Sequence, residues 1–209
     1  MKIGIIGGGH IGGTLTKVLA ATGHEVAVAN SRGPETLGDL VAEAGPGAHA
    51  ATVEDAVEFG EVIIVALPVK AYTDLPSDGF EGKIVVDAGN YYPQRDGQIA
   101  ALDSDETTST ELLAAHLRGS RAVKAFNTMN YRTLGTEGQP DAPREQRLAL
   151  VLAGDDAQAK ATLAGLIDEL GFAPVDTGSL AEGGRRQQAG GPLYNVELRA
   201  EEAEAALSG

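Results

Sequence analysis

The sequence predicts an α/β fold, a doubly wound sheet of parallel strands with helices on both faces and a small C-terminal appendage. Short apolar runs recur along the chain, and segments with a helical spacing of apolar residues separate them. The sequence of a strand covered on both faces by helices is a continuous apolar run, because both sets of side chains are buried. This is the pattern seen here. A glycine-rich turn, Gly7–Gly12, also joins the first apolar run to the first helical segment. The alternation of strand and helix favours a parallel sheet.

Eight apolar runs are expected to form the strands. In chain order they lie at Lys2–Ile6, Glu25–Ala29, His49–Ala51, Val62–Leu67, Lys83–Ala88, Arg121–Ala125, Arg147–Ala153 and Ala173–Val175. The third and the last are short, and the others have five to seven residues, a length typical of buried strands.

Helices are expected between these strands. The main ones lie at Ile11–Thr22, Pro34–Ala44, Val53–Phe59, Thr108–Arg118 and Asp156–Leu170, with a polar helix over Glu197–Leu207. In the first helix Ile11, Leu15 and Val18 share one face, and Gly23 supplies the left-handed residue that commonly follows a helix. Pro34 suits the first turn of the second helix because the N–H that proline lacks has no partner there.

The chain is expected to fold around one core, since no internal repeat and no Pro- or Ser-rich linker divides its 209 residues. Two stretches interrupt the periodic pattern, Tyr131–Gln146 and the segment that begins at Ser179. We therefore expect a folded domain over residues 1–178 and a C-terminal segment over residues 179–209.

Composition excludes several classes of function. With 16 Lys and Arg against 30 Asp and Glu, the formal net charge is −14, which opposes binding to nucleic acid. The absence of cysteine excludes disulfides and a cysteine nucleophile, and it agrees with a cytoplasmic location. No apolar run approaches the roughly 20 residues that span a bilayer, so no membrane partner is expected. No metal site is expected either.

The glycine-rich turn matches the pattern G-x-G-x-x-G in the place where it carries chemistry, after a strand and at the start of a helix. Gly7 would make the tight turn, Gly9 would let the main chain approach a diphosphate, and Gly12 would let the helix pack closely on the sheet. Free N–H groups at the helix N-terminus, including those near His10 and Ile11, would then face the phosphates. The alternative is a glycine-rich turn without a ligand.

The end of the second strand predicts which dinucleotide binds. An Asp or Glu at this point would hold the ribose 2′-hydroxyl of NAD, but the sequence there is Asn30-Ser31-Arg32. The Ser31 hydroxyl and the Arg32 guanidinium are suited to a 2′-phosphate. NADP is therefore favoured over NAD, and the alternative is that Arg32 is a solvated loop cation.

Other strand ends are expected to line the same crevice, because ligands of such sheets bind outside the carboxyl ends of the strands. The predicted cofactor contacts there are Ala66, Leu67, Pro68, Ala88, Gly89, Asn90 and Asn127. Asn127 would hydrogen-bond the nicotinamide carboxamide. Each of these residues has a plain alternative as a turn former.

Together these motifs resemble the NADP oxidoreductase, coenzyme F420-dependent family. The residues that carry the resemblance are the glycine turn, Asn30-Ser31-Arg32, Val123–Thr128, Ala153–Asp156 and Val175–Gly178. The resemblance implies a Rossmann-like domain, NADP(H) held by the glycine turn and the Ser-Arg pair, and a homodimer. The same family includes the cytoplasmic reductase domain of membrane metalloreductases.

The activity that the resemblance implies is hydride transfer between NADPH and a flat redox acceptor, with coenzyme F420 as the leading candidate. Stacking of two rings requires no catalytic side chain, and we assign none. The acceptor is expected against Met129, Arg132, Arg185, Arg186 and Tyr194, with residues 179–209 completing this site or a dimer contact. The alternatives are a flavin, quinone or ferric reductase and a non-catalytic NADPH-binding redox sensor.

Overall fold

Eight strands form one sheet in a computed structural model that describes residues 1–208. The strands are β1 (Lys2–Ile6), β2 (Glu25–Ala29), β3 (Ala48–Ala50), β4 (Val62–Val65), β5 (Ile84–Asp87), β6 (Arg121–Ala125), β7 (Ala149–Gly154) and β8 (Ala173–Asp176). Their order in the sheet is β3-β2-β1-β4-β5-β6-β7-β8. The strand order reverses between β1 and β4, which is where such sheets open a ligand crevice.

Helices connect the strands and cover the sheet. They are α1 (His10–Ala21), α2 (Gly38–Ala44), α3 (Val53–Phe59), α4 (Pro93–Asp96), α5 (Ala100–Asp103), α6 (Ser109–His116), α7 (Tyr131–Thr136), α8 (Ala157–Glu169), α9 (Gly183–Arg186) and α10 (Ala200–Ser208). Short 3-10 helices lie at Pro34–Leu37, Val69–Asp74 and Arg144–Gln146. Among residues 1–208, no helix is both long enough and apolar enough to cross a membrane.

The sheet is not parallel throughout, which corrects one expectation. Strands β1 to β6 are all parallel to one another. Strand β7 is antiparallel to its neighbour β6 and parallel to β8. A parallel crossover usually needs a helix that carries the chain back along the sheet. Between β6 and β7 the chain forms only the six-residue α7, which packs on α1, and the short 3-10 helix Arg144–Gln146.

Alternate residues of the central strands build separate cores on the two faces of the sheet. Ile64 and Ile5 belong to the core beneath α1 and α8, whereas the neighbouring Ile63 and Ile6 belong to the core beneath α6. All four are at most 1% exposed, which explains why β1 and β4 read as continuous apolar runs.

The predicted C-terminal segment packs on the last strands of the sheet. Leu193, Ala200 and Ala203 are buried against Val151 of β7 and Val175 of β8. The N–H of Asn195 also donates to the carbonyl of Thr128, 2.9 Å away, just beyond β6. The segment therefore reaches back to the carboxyl edge of the sheet. Gly209, the last residue of the predicted segment, lies outside the described residues.

Candidate functional site

The glycine turn has the geometry that its sequence predicts. Gly7 has φ +116°, a left-handed conformation that favours glycine. A side chain on Gly12 would overlap the carbonyl oxygen of Gly7, so α1 can lie this close to β1 only with glycine there. Around Gly9, by contrast, the position of a Cβ is open space.

The N-terminus of α1 is free to bind an anion. Its N-cap residue is Gly9, so no side chain caps the first turn, and the first turn contains no acidic residue. The leading N–H groups of a helix have no partner within the helix, and the helix dipole places positive charge there. These amides and the space above Gly9 fit a diphosphate.

The turn after β2 is held by Asn30. Its Oδ1 accepts from the N–H of Arg32 at 2.8 Å, and its Nδ2 donates to the Thr36 hydroxyl at 2.9 Å. Asn30 also lines a cavity, and Thr36 accepts only one of its two Nδ2 hydrogens. Its expected contact with the cofactor therefore stays a prediction.

Arg32 is exposed, and its guanidinium has no hydrogen bond or ion pair within residues 1–208. A free cation is notable in a chain with a net charge of −14, because acids are available to pair with it. One carboxylate lies nearby, however: a Cβ added to Gly33 would approach the Glu35 carboxylate oxygens at 2.5 and 2.6 Å. No feature of the sequence indicates that this acid lies here.

Two adjoining cavities follow the carboxyl edge of the sheet, on either side of Leu67 and Pro68. The larger, about 560 Å³, lies on the β2 side and is lined by Ser31, by Gly33 and by residues of the loops after β3 and β4, most of them apolar but including the carboxylates Glu54 and Asp74. The smaller, about 260 Å³, lies between the glycine turn and the end of β5. We call them the outer and the inner cavity.

The inner cavity brings together most of the predicted cofactor residues. Its lining is Gly9, His10, Ile11, Ala66, Leu67, Pro68, Ala88, Gly89, Asn90, Tyr92 and Arg95. The ring of His10 stacks on the ring of Tyr131 with centroids 4.4 Å apart. Tyr92 and Arg95 were missed by the sequence analysis, because they follow β5 in a stretch without a recognisable motif.

Asn127 does not lie where it was expected. It is 4% exposed, and its Nδ2 donates to Asn90 Oδ1 at 3.1 Å and to the carbonyl of Gln187 at 2.8 Å. Both amide hydrogens are therefore used inside the protein, and the buried Oδ1 has no hydrogen-bond partner among residues 1–208. Asn127 therefore holds the side chain of Asn90 in place. The expected hydrogen bond from Asn127 to the nicotinamide carboxamide is corrected to this role.

Asn90 is fixed by three hydrogen bonds. Besides accepting from Asn127, its Nδ2 donates to the Asn127 carbonyl at 2.8 Å, and its own carbonyl accepts from Arg95 Nη2 at 2.5 Å. Arg95 in turn pairs with Asp96 at 2.9 Å. Burial opposes the charged form of Asp96, but the hydrogen bonds from Arg95 and the Tyr92 N–H outweigh it and lower the pKa of this carboxyl.

A buried polar network lies beneath Gly89. Asp87, which is 0% exposed, pairs with Lys124 at 2.9 Å and accepts from Tyr72, Ser109 and Thr110. Burial, and then the negative charge of Asp87, raise the pKa of Tyr72 well above its ordinary value. This network could not be predicted from the sequence, because its residues lie in several separate elements.

The residues predicted for the acceptor are not all in one place. Arg132 lines a third cavity of about 350 Å³ between the start of α7 and Asn195–Glu197, which we call the α7 cavity. Tyr194 lines neither this cavity nor the inner one, but its hydroxyl is hydrogen-bonded to that of Tyr92, which lines the inner cavity. Burial, and then this bond, raise the pKa of Tyr92 to about 12.

The other three acceptor residues are corrected. Met129 is 7% exposed and packs in the core beneath α1, so it is a packing residue. Arg185 donates to the carbonyls of Ala181 and Asp105, and Arg186 donates to the carbonyl of Leu207. These two arginines fasten the C-terminal segment and line neither the inner nor the α7 cavity.

Three comparisons relate the chain to known proteins. A family model described as NADP oxidoreductase, coenzyme F420-dependent, matches residues 2–91. The hypothetical protein SMa0349 of Sinorhizobium meliloti is 36% identical, with a TM-score of 0.83 and 95% of each chain covered. A protein of Arthrobacter sp. FB24, provisionally named as an F420-dependent NADP reductase, is 27% identical, with a TM-score of 0.72 and 86% of each chain covered.

Curated relatives are longer proteins. Metalloreductase STEAP3 of Rattus norvegicus is 32% identical over 182 residues, which cover 86% of this chain and 34% of that protein. The chain thus spans about a third of the length of the curated relatives it matches.

The sheet order and the glycine turn define a Rossmann-like, dinucleotide-binding protein. The class is that of the nicotinamide-dependent oxidoreductases. Residues 2–91 match the model of the NADP oxidoreductase, coenzyme F420-dependent family, the same family that the sequence motifs resemble, and these similarities support an NADP-dependent oxidoreductase.

Proposed function

We propose that the crevice binds NADPH along the carboxyl edge of the sheet and delivers a hydride to a flat redox acceptor, most favourably coenzyme F420. The observation that carries the proposal is the alignment of an unpaired arginine, an uncapped helix N-terminus and two adjoining cavities along one edge. When bound, NADPH supplies the hydride from C4 of its nicotinamide ring.

The phosphate contacts are assigned to the N-terminal half of the crevice. Ser31 and Arg32 would hold the 2′-phosphate, and the amides after Gly9 would hold the diphosphate. The apolar residues of the outer cavity suit the adenine ring, although Glu54 and Asp74 also line this cavity. Each group assigned to a phosphate is a donor or a cation, which an anionic dinucleotide needs in a protein with a net charge of −14.

The nicotinamide is assigned to the inner cavity. Its floor is formed by small groups, Ala88 and Gly89, which allow a ring to lie close to the main chain. Asn90 is held rigidly beside this floor, and Tyr92, whose hydroxyl is hydrogen-bonded to that of Tyr194, also lines the cavity. The chain's own part is to hold the ring in place and to limit the access of water, since hydride transfer depends on orientation.

The acceptor is assigned to the space between the inner cavity and the α7 cavity. The stacked rings of His10 and Tyr131 connect the two, because His10 lines the first and the neighbours of Tyr131 line the second. Coenzyme F420 carries an anionic tail, and Arg132 is the cation that lines the α7 cavity. The match of the family model to residues 2–91 supports F420.

One observation favours a second candidate, a flavin or ferric reductase. The relative that is 32% identical over 182 residues is named as a metalloreductase, and the matched region covers 86% of this chain. A quinone reductase and a non-catalytic NADPH-binding redox sensor remain as outcomes of the test below.

The test is oxidation of NADPH with a panel of acceptors. Purified protein is mixed anaerobically with NADPH and, in separate reactions, F420, FMN, a quinone and ferric citrate, and the nicotinamide absorbance is followed. Turnover with F420 supports the leading proposal, and turnover with FMN or ferric citrate supports the second candidate. Binding of NADPH without turnover of any acceptor would reject the hydride-transfer proposal and favour the sensor.

Arg132→Gln sharpens this assay, with Arg118→Gln as the matched control. Arg118 is exposed, and it follows α6 near the opposite edge of the sheet. Loss of Arg132 is expected to raise KM for anionic F420 about tenfold and to leave KM for a neutral quinone unchanged, because only the charged tail would pair with it. An equal change in KM for both acceptors would show that Arg132 does not contact the acceptor.

The homodimer and the cytoplasmic location stay predictions. Sedimentation of the purified protein would test the first, since a single species near 21.4 kDa would contradict it.

A further inference from the structure

Asp87 and Lys124 form an ion pair in the interior of the protein, at the end of β5 and β6. The two residues are register partners on these adjacent strands. Asp87 is 0% exposed and Lys124 is 1% exposed, and Lys124 Nζ lies 2.9 Å from Asp87 Oδ2. Charges this deeply buried are uncommon, because the free-energy cost of removing them from water offsets most of their electrostatic attraction.

The two residues of the pair hydrogen-bond the N–H and the carbonyl of Gly89. The N–H of Gly89 donates to Asp87 Oδ1 at 2.8 Å, and the carbonyl of Gly89 accepts from Lys124 Nζ at 2.5 Å. The two peptide groups that flank the Gly89 Cα are therefore fixed in orientation. A side chain on Gly89 would also overlap the Tyr72 hydroxyl, so the main chain is held tightly against the network.

The network holds Asp87 and Lys124 themselves in place. Tyr72 donates to Asp87 Oδ1 at 2.5 Å, and Thr110 donates to Asp87 Oδ2 at 2.7 Å. Ser109 accepts from Lys124 at 3.1 Å. Every polar atom of the pair thus has a partner, as a rigid buried network requires.

The position of the network distinguishes a functional role from a purely structural one. A buried ion pair is weak support for stability, since apolar residues of similar volume often serve as well. This pair instead directs its remaining hydrogen-bonding capacity at one peptide segment, and that segment forms the floor of the inner cavity.

We propose that Lys124 and Asp87 are positioning residues: their buried ion pair fixes the peptide groups of Gly89 and so sets the surface against which the nicotinamide lies during hydride transfer. The inference rests on the proposed function, because it assumes that the inner cavity holds the nicotinamide. Neither side chain touches the cofactor, and neither gains or loses a proton in the reaction.

The test is the double variant Asp87→Asn/Lys124→Met. The new amide at position 87 can keep the bonds to Tyr72 and Gly89 through its oxygen, and its nitrogen can donate to Ser109 and Thr110. No buried charge is left unpaired, and the Gly89 carbonyl is the group that loses its donor. The matched control is Asp156→Ala, which removes the side-chain cap of α8 and leaves the network and both bonds to Gly89 intact.

The double variant is expected to bind 2′,5′-ADP, which has no nicotinamide, as wild type does. Its kcat should fall about 10- to 100-fold, because small errors in ring placement slow transfer by this much. The fluorescence of bound NADPH should also move toward that of free NADPH. Asp156→Ala should lower the melting temperature and keep the wild-type kcat. A folded double variant with wild-type kcat and NADPH fluorescence would overturn the proposal.

A second double variant, Asp87→Asn/Lys124→Leu, applies if the first does not fold. It also removes the donor to the Gly89 carbonyl, and an unchanged kcat and NADPH fluorescence in that variant would overturn the proposal. If wild type oxidises NADPH with none of the acceptors, the proposed function fails, while the fluorescence of bound NADPH still tests whether the pair positions the nicotinamide.

Discussion

The two ends of the crevice are built by different means. At the phosphate end the recognising groups are main-chain amides and the guanidinium of Arg32, and the glycines of the turn make room for them. At the nicotinamide end the main chain is held by side chains, through the pair Asp87–Lys124 and the pair Asn90–Asn127. The phosphate end can accept an anion, and the nicotinamide end is preorganised to hold a planar ring.

The difference assigns affinity to one end and rate to the other. Backbone amides and an arginine attract phosphates whether or not the nicotinamide is well placed. A rigid floor contributes little attraction but controls orientation, on which hydride transfer depends. Substitutions at the phosphate end are therefore expected to change the Kd of NADPH, and substitutions at the nicotinamide end to change kcat.

Gly12→Val is expected to have the largest effect. Its side chain would overlap the Gly7 carbonyl and push α1 away from β1. Such overpacking costs about 3 kcal/mol or more, so the melting temperature should drop and NADPH binding should be lost. Gly13→Ala is the control, because a Cβ there makes ordinary contacts with Leu40 and alanine favours a helix. Equal stability of Gly12→Val and wild type would refute the close contact.

Arg32→Asp should change the preference between cofactors by about 100-fold, since a charge-assisted pair with phosphate is replaced by repulsion. The Kd of NADPH should rise and that of NADH should stay the same or fall, as measured by nicotinamide fluorescence. Arg118→Asp makes the same change of charge at the opposite edge and should leave the ratio unaltered. An unchanged ratio in Arg32→Asp would show that the 2′-phosphate lies elsewhere.

Gly9→Ala separates binding from folding at the same turn. Gly9 has φ −79° and open space around its Cβ position, so alanine fits without strain and the melting temperature should not change. The added methyl group would occupy the space assigned to the diphosphate and should weaken NADPH binding about tenfold. A wild-type Kd would mean that the diphosphate does not pass over Gly9.

Tyr92→Phe should have the smallest effect, on the dependence of stability on pH. The pKa of Tyr92 is raised to about 12 from 10.0 by burial and by the bond to Tyr194. The unfolded chain then loses this proton first, so stability falls as pH rises from about 10 to about 12. Urea unfolding over this range should show a shallower fall in Tyr92→Phe. Tyr194→Phe should also reduce the slope, and an unchanged slope in both variants would contradict the assignment.

Much of the fold could be predicted because its signals are local. The bounds of β1, β2, β6 and α3 agree with the sequence analysis to the residue, since each is an apolar or capped segment next to a glycine or a polar turn. The direction of β7 could not be predicted, because it depends on how the chain crosses between distant elements rather than on its own apolar pattern.

The residues of the site likewise fall into those that could be predicted from local sequence and those that could not. The glycine turn lies within six consecutive residues and is readable from sequence, whereas Lys124 and Gly89 are 35 positions apart and Tyr92 and Tyr194 are 102 apart. Asn127 was misassigned because its partner Gln187 comes from the C-terminal segment, whose path the sequence does not indicate. Glu35 was overlooked because its carboxylate folds back over Gly33.

The claim that the phosphate end supplies the affinity is tested most directly by comparing the Kd values of NADPH, NADH and 2′,5′-ADP for the wild-type protein by calorimetry. The account predicts that 2′,5′-ADP binds within about tenfold of NADPH and that NADH binds about 100-fold more weakly, because the 2′-phosphate is held by Arg32. Equal affinities for NADPH and NADH, or no binding of 2′,5′-ADP, would contradict it.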